Sequence, residues 1–236
     1  MQLSDVLLSV ENLEAWYGDA KALHGLSFTL RQSQVLALIG ANGAGKSTLL
    51  KSICGLLPKK SGAIRFKGEA IATFAANEIV GRGIALVPEG RRLFASLSVE
   101  ENLILGGKVN RSGPWSLDAI YGLFPILREK RHAPSASLSG GQQQMAAIGR
   151  GLMSNPDLIL LDELSLGLAP IVIKDIYELL PKIVGNGLTA ILVEQDVTRA
   201  LASANQVLCM QEGRISLDGA PGHFTKDQIS AAYFGM

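Results

Sequence analysis

The chain has 236 residues, 47% of them apolar and 18% charged, with a formal net charge of +1. That much apolar surface can build a sizeable core and excludes wholesale disorder. The near-neutral balance gives no electrostatic reason to invoke nucleic acid, whose binders carry a strong basic excess.

The chain opens on Met1-Gln2-Leu3-Ser4-Asp5, which lacks the basic n-region of a secretory signal. No run along it approaches the ~18 apolar residues of a membrane span. Leu7 to Tyr17 reads as a strand carried by Leu8, Val10, Leu13 and Trp16, and Tyr17-Gly18 ends it. Tyr17 can offer its ring to a base or pack inward, and its position alone does not choose between these. Leu26 to Leu30 alternates more clearly and leads into Val35-Leu36-Ala37-Leu38-Ile39, a continuous apolar run suited to a buried parallel strand. An antiparallel sheet beside a parallel core is therefore expected.

Gly40-Ala41-Asn42-Gly43-Ala44-Gly45-Lys46-Ser47-Thr48 then fits the phosphate-binding loop pattern G-x-x-x-x-G-K-[ST]. Its context fits too, because Leu49, Leu50, Ile53, Leu56 and Leu57 follow at helical spacing. Glycines let the backbone curl so that successive N–H groups face phosphate oxygens, and the new helix adds its positive dipole end. Lys46 is placed to reach the β- and γ-phosphates, and Ser47 to ligate Mg²⁺.

Pro58 to Gly62 is turn chemistry, and Ala63–Phe66 with Glu69–Ile71 around Lys67-Gly68 reads as a hairpin. Ala75 to Arg82 reads as a short helix stopped by Gly83, and Ile84–Val87 as a buried strand followed by Pro88-Glu89-Gly90-Arg91-Arg92. Ser98-Val99-Glu100-Glu101 is a capping box. Residues 107–137 change character, and Trp115, Leu117, Ile120, Tyr121 and Phe124 at helical spacing mark a helical insert. Its charge cluster, Arg128 to His132, is expected to be a solvated face.

Leu138-Ser139-Gly140-Gly141-Gln142 opens a further helix, with Ser139 and Gln142 as a second capping box. Two glycines in a first turn are costly unless something needs close approach, so capping and anion binding are both open here. Leu158 to Leu161 is an apolar run ending in Asp162-Glu163. Carboxylates at the C-terminal end of such a strand sit where α/β sheets place ligands; Asp162 suits Mg²⁺, and Glu163 can polarise an attacking water. Pro170 opens the next helix, which Pro181 is expected to kink or end. Thr189–Val193 is another buried strand, with Glu194-Gln195-Asp196 at its end, then a helix to Ala204 and a hairpin around Glu212-Gly213. A short helix closes the chain. Cys54 and Cys209 lie far apart among apolar residues and read as buried thiols, and His24, His132 and His223 have no metal-ligand spacing.

With these motifs in this order, the whole chain resembles the ATP-binding subunit of ABC transporters. The resemblance implies a single α/β domain over residues 1–236 with a P-loop NTPase core, mostly parallel. Residues 1–88 and 155–236 would form the core with an antiparallel β part, and 89–154 the Q-loop, helical insert and signature helix. It also implies that two copies pack head to tail, so that Ser139, Gly140, Gly141 and Gln142 of one meet ATP on the P-loop of the other. By the same resemblance Tyr17 stacks on adenine, Glu163 is the catalytic glutamate and residues 165–168 cross the dimer interface. Glu89 stands at the usual Q-loop glutamine, Gln195 at the usual histidine and Leu164 at the usual proline. The first two, with Leu166–Pro170 and Ala232–Gly235, resemble one ATPase of branched-chain amino-acid importers, the F-type rather than the G-type partner. The implied cofactors are ATP and Mg²⁺, with Glu89 near the metal and Lys46 and Gln195 near the reacting phosphate. The implied partners are transmembrane permease subunits, a second ATP-binding subunit and, indirectly, an external binding protein, with the chain peripheral on the cytoplasmic face of the membrane. A non-transport ABC ATPase would be expected to carry a second cassette or basic extensions, and a GTPase an N-K-x-D motif; neither is in this sequence.

Overall fold

The computed structural model describes residues 5–185 and 187–234, so the reading of Met1–Ser4 and the closing Gly235 lie outside the described residues. Strands β1 (Val6–Tyr17), β2 (Ala20–Arg31), β4 (Lys60–Phe66) and β5 (Glu69–Ala70) form a four-stranded antiparallel sheet in the order β2-β1-β4-β5. The second sheet has six strands in the order β10-β9-β3-β8-β7-β6. These are β3 (Val35–Ile39), β6 (Ile84–Val87), β7 (Leu158–Asp162), β8 (Thr189–Val193), β9 (Gln206–Gln211) and β10 (Arg214–Gly219). All of its pairings are parallel except the β9–β10 hairpin.

Both faces of the parallel sheet are covered, which is why its strands are continuous apolar runs rather than alternating ones. Leu158 and Leu160 of β7 and Ile191 and Val193 of β8 join the core beneath the antiparallel sheet and α1 (Lys46–Ile53). Their neighbours Ile159, Leu161, Ala190 and Leu192 join a second core on the other face. That core is closed by α3 (Val99–Gly106), α4 (Leu117–Leu123), α5 (Pro125–Glu129), α6 (Gly140–Leu152) and α7 (Pro170–Val184). The remaining helices are α2 (Ala76–Gly81), α8 (Val197–Ser203) and α9 (Lys226–Phe234). Cys54 and Cys209 are buried free thiols, burial pushing Cys54 up to about 12.

Two expectations change. Helix α7 does not end at Pro181 but runs to Val184. The proline stands in the last turn, where its missing N–H forfeits one bond, and Gly185 N–H closes the turn on Pro181 O at 2.8 Å. Packing of Ile173, Ile176, Leu180 and Ile183 on the sheet outweighs that loss. The helical insert is likewise split: Phe124 leaves helical geometry and Pro125 starts α5, while buried Trp115 precedes α4 instead of lying on it.

Helix α3 is joined to the segment after β6 by Asn102, whose side chain is fully buried. Its amide donates to Phe94 O at 3.1 Å and Ser98 O at 2.9 Å, and its Oδ1 accepts from Phe94 N at 2.9 Å. Asn102→Leu leaves the Phe94 N–H unsatisfied, at a cost of about 1–3 kcal/mol, while Phe94 O keeps Leu97 N–H and the Ser135 hydroxyl and Ser98 O keeps the helical Asn102 N–H. We expect a lower denaturation midpoint, by roughly 2–4 °C per kcal/mol lost; an unchanged midpoint would show that water replaces the amide.

Candidate functional site

The strands β3, β6, β7, β8 and β9 deliver their following residues to one edge of the parallel sheet. The cleft lies outside that edge, as expected where strands release their C-terminal ends. Its volume is about 770 Å³, within the usual range for small-molecule sites. Asn42, Gly43, Gly45, Lys46, Ser47 and Thr48 after β3, Glu89 after β6, Glu163 after β7 and Gln195 after β8 all line it, with Tyr17 at the end of β1. Gly40, Ala41 and Ala44 complete the loop behind them. Tyr17 is 47% exposed, so its ring is available to a planar ligand rather than packed in the core.

The loop needs its glycine at position 45. It caps α1 in the left-handed region at φ 101, and a Cβ there would meet Leu23 Cδ2 at 2.9 Å. Lys46 is 5% exposed, and its amine donates to Gly40 O at 2.7 Å and Ala41 O at 3.0 Å. Burial lowers its pKa, while the charges of Glu163 and Asp162 oppose the shift. Ser47 Oγ and Asp162 Oδ1 face each other at 3.4 Å. Burial raises the Asp162 carboxyl, and the nearby Glu163 and Glu89 charges add to this, against the Ser47 hydroxyl and Lys46. A hard divalent cation suits this spot: the donors are oxygens, and Lys46 alone faces the charges of Asp162, Glu163 and Glu89. Among the described residues no group of three or more His, Cys, Asp or Glu could hold a metal, so phosphate and water oxygens would have to complete the shell.

Glu163 is held in the left-handed region at φ 50, with its N–H donating to Val193 O at 3.1 Å. Leu164, at the usual proline position, is 1% exposed and anchors the turn in the second core. Ser139, Gly140, Gly141 and Gln142 do not join this cleft. They cap α6 on the insert, where Ser139 Oγ accepts from Gln142 N at 3.3 Å. Gly141 has a packing reason as well, since a Cβ there would press on Val172 Cγ1 at 2.5 Å.

Sequence reasoning missed Lys21, Ala22, His24, Leu166, Glu212 and Gly213, which also line the cleft. Tyr17 pairs with Ala20 in a tight hairpin, so β2 begins six residues before Leu26 and brings Lys21 and His24 back beside Tyr17. The Glu212-Gly213 turn arrives because β9 is the sheet neighbour of β3; Gly213 N–H donates to Ala44 O at 3.0 Å.

Residues 23–165 match the ABC transporter family. The chain belongs to that family. It is 43% identical, over 97% of its length and all of the relative's, to the high-affinity branched-chain amino acid transport ATP-binding protein BraG of Pseudomonas aeruginosa. Its fold superposes on a nucleotide-free ATP-binding cassette of an ABC transporter with TM-score 0.80 at 27% identity, covering 98% and 96% of the two chains. It also superposes on cbiO1 of Clostridium perfringens, part of the cbiONQ transporter complex, with TM-score 0.78 at 30% identity over 95% and 93%. As an ABC cassette the chain binds ATP and hydrolyses it to power transport. Among its described residues no helix is long and apolar enough to cross a membrane.

Proposed function

We propose that this cassette energises an importer of branched-chain amino acids from the cytoplasmic face of the cell membrane. The observation that carries the reading is the full-length 43% identity to a branched-chain amino-acid transport subunit. The habits at Glu89 and Gln195 support the F-type place; the relative's name carries the letter G, and the branched-chain role is common to both subunit types.

In this reading Tyr17 stacks on adenine, and Gly40 to Thr48 wrap the phosphates with backbone N–H groups and the Lys46 amine. Ser47 and Asp162, with Glu89 nearby, hold Mg²⁺, which supplies charge neutralisation on the phosphate oxygens. Glu163 orients and deprotonates the attacking water. Gln195 donates its amide to the γ-phosphate, a role that needs no change of protonation. The capped start of α6, Ser139 to Gln142, stands apart from the chain's own cleft, which supports its meeting ATP on a second cassette. This reading takes residues 1–236 as one domain, with 89–154 as its Q-loop, helical insert and signature helix.

The test is uptake in a strain lacking this subunit and any redundant importer. Leucine, isoleucine and valine uptake should be lost and restored by wild type but not by Lys46→Ala. Intact uptake of all three overturns the cargo. Loss of urea or short-amide uptake instead would place the cassette in a related importer.

A further inference from the structure

Glu194 is 0% exposed, one residue before Gln195, where an ionisable group is costly. Its Oε2 accepts a 2.7 Å hydrogen bond from the Ser165 hydroxyl, and its Oε1 is buried with no hydrogen-bond partner. Tyr177 of α7 stands close by. Its buried hydroxyl faces Glu194 without a well-formed hydrogen bond, and burial, the Glu194 charge and the pull of the carboxylate on the hydroxyl push the phenol up. A well-packed apolar side chain would meet no such penalty. Stability alone therefore does not account for a carboxylate here.

What the carboxylate holds is more informative. Ser165 belongs to the turn that follows β7, and this turn is tied to the end of β8 twice. Glu163 N–H bonds Val193 O at 3.1 Å, and the Ser165 hydroxyl bonds Glu194. Between the two ties Leu164 is buried. Glu163 itself sits at φ 50, a conformation that strains a non-glycine residue and persists only where its surroundings over-determine it. On its other side, Glu194 N–H bonds Leu38 O at 3.3 Å, which leaves the next residue, Gln195, exposed at the cleft. One buried side chain thus fixes the segment carrying Glu163 against the strand end carrying Gln195.

We propose that Glu194 is a positioning residue for ATP hydrolysis, which through Ser165 holds the turn that aims Glu163 into the nucleotide cleft. This rests on the reading of Glu163 as the base. The Ser165 bond is to a carboxylate and so is stronger than a neutral one. Glutamine at 194 keeps an acceptor in the same place, and alanine removes it. A displacement of about 1 Å at a reacting group can cost 10²-fold in rate.

The experiment is steady-state ATP hydrolysis by the chain assembled with its membrane partners, with a thermal melt of every variant. Glu194→Ala and Ser165→Ala should each lower kcat about 10–100-fold, with KM within about twofold of wild type. The double variant should be no worse than the poorer single one, because both remove one tie. Glu194→Gln should recover most of the loss. A folded Glu194→Ala with wild-type kcat overturns the proposal, as does a rise in KM alone. So do losses that multiply in the double variant. If Glu194→Ala does not fold, Ser165→Ala and Glu194→Gln decide, and wild-type kcat in Ser165→Ala overturns it. Lys46→Ala, run alongside, separates the two readings. Wild type no faster than Lys46→Ala would sink the ATPase site itself, whereas an active wild type with unaffected 165 and 194 variants sinks only the positioning role.

Discussion

Glu163→Gln is expected to bind ATP and to hydrolyse it about 10²–10⁴-fold more slowly than wild type, the usual worth of a positioned general base. The amide is isosteric with the carboxylate but cannot take a proton from water. The turn should survive the change, because its ties are the Glu163 N–H to Val193 O, the burial of Leu164 and the Ser165 hydroxyl, none of which uses the Glu163 side chain. Melting should therefore stay near wild type. Nucleotide binding should hold or improve. Glu163 adds to the negative field that raises Asp162, and removing that charge makes the cleft more welcoming to a polyanion. Unhydrolysed ATP should then hold two cassettes together, visible by light scattering as an ATP-dependent dimer. Turnover near wild type, with no such dimer, would reduce Glu163 to a turn residue.

Most of the cleft was legible in the sequence because its parts are local patterns. The loop Gly40–Thr48 and the apolar runs of β3, β7 and β8 each span a few adjacent residues, as do the capping boxes at Ser98 and Ser139 that lie outside the cleft. Asp162 and Glu163 followed because buried parallel strands deliver their ends to one edge, whereas Gln195 was singled out by the family resemblance. Residues brought by pairing were not legible. Lys21 and His24 come to the cleft through the Tyr17–Ala20 hairpin, and Glu212-Gly213 through the β3–β9 neighbourhood, neither of which has a local signal. Pro181 does not end α7 for the complementary reason: it removes one backbone bond, and burial of Ile173, Ile176, Leu180 and Ile183, which no local signal at the proline reveals, carries the helix past it. Nor does a lone Glu194 after an apolar strand announce burial, because the groups that enclose it, Ser165 and Tyr177, lie on other elements.

Lys46→Ala should abolish useful turnover, lowering the rate of the assembled complex by at least about 10²–10³, the typical cost of one electrostatic stabiliser of a transition state. The amine is nearly enclosed, bonded to Gly40 O and Ala41 O, with Glu163 and Asp162 close enough to support its charge against the pull of burial. A cation so placed in a low-dielectric cleft acts strongly on phosphate charge that grows in the reaction. Its two carbonyl bonds also hold the loop in a curl around the position of the phosphates, so the variant loses preorganisation together with charge. Unlike Glu163→Gln, it should therefore bind ATP more weakly and form no ATP-dependent dimer. Removing a buried charge relieves a desolvation cost, which offsets part of the lost bonding, so a melt near wild type is expected and excludes unfolding as the cause. Near-normal hydrolysis by a folded Lys46→Ala complex, measured with its partner cassette's own P-loop lysine also replaced, would overturn the placement of ATP in this cleft.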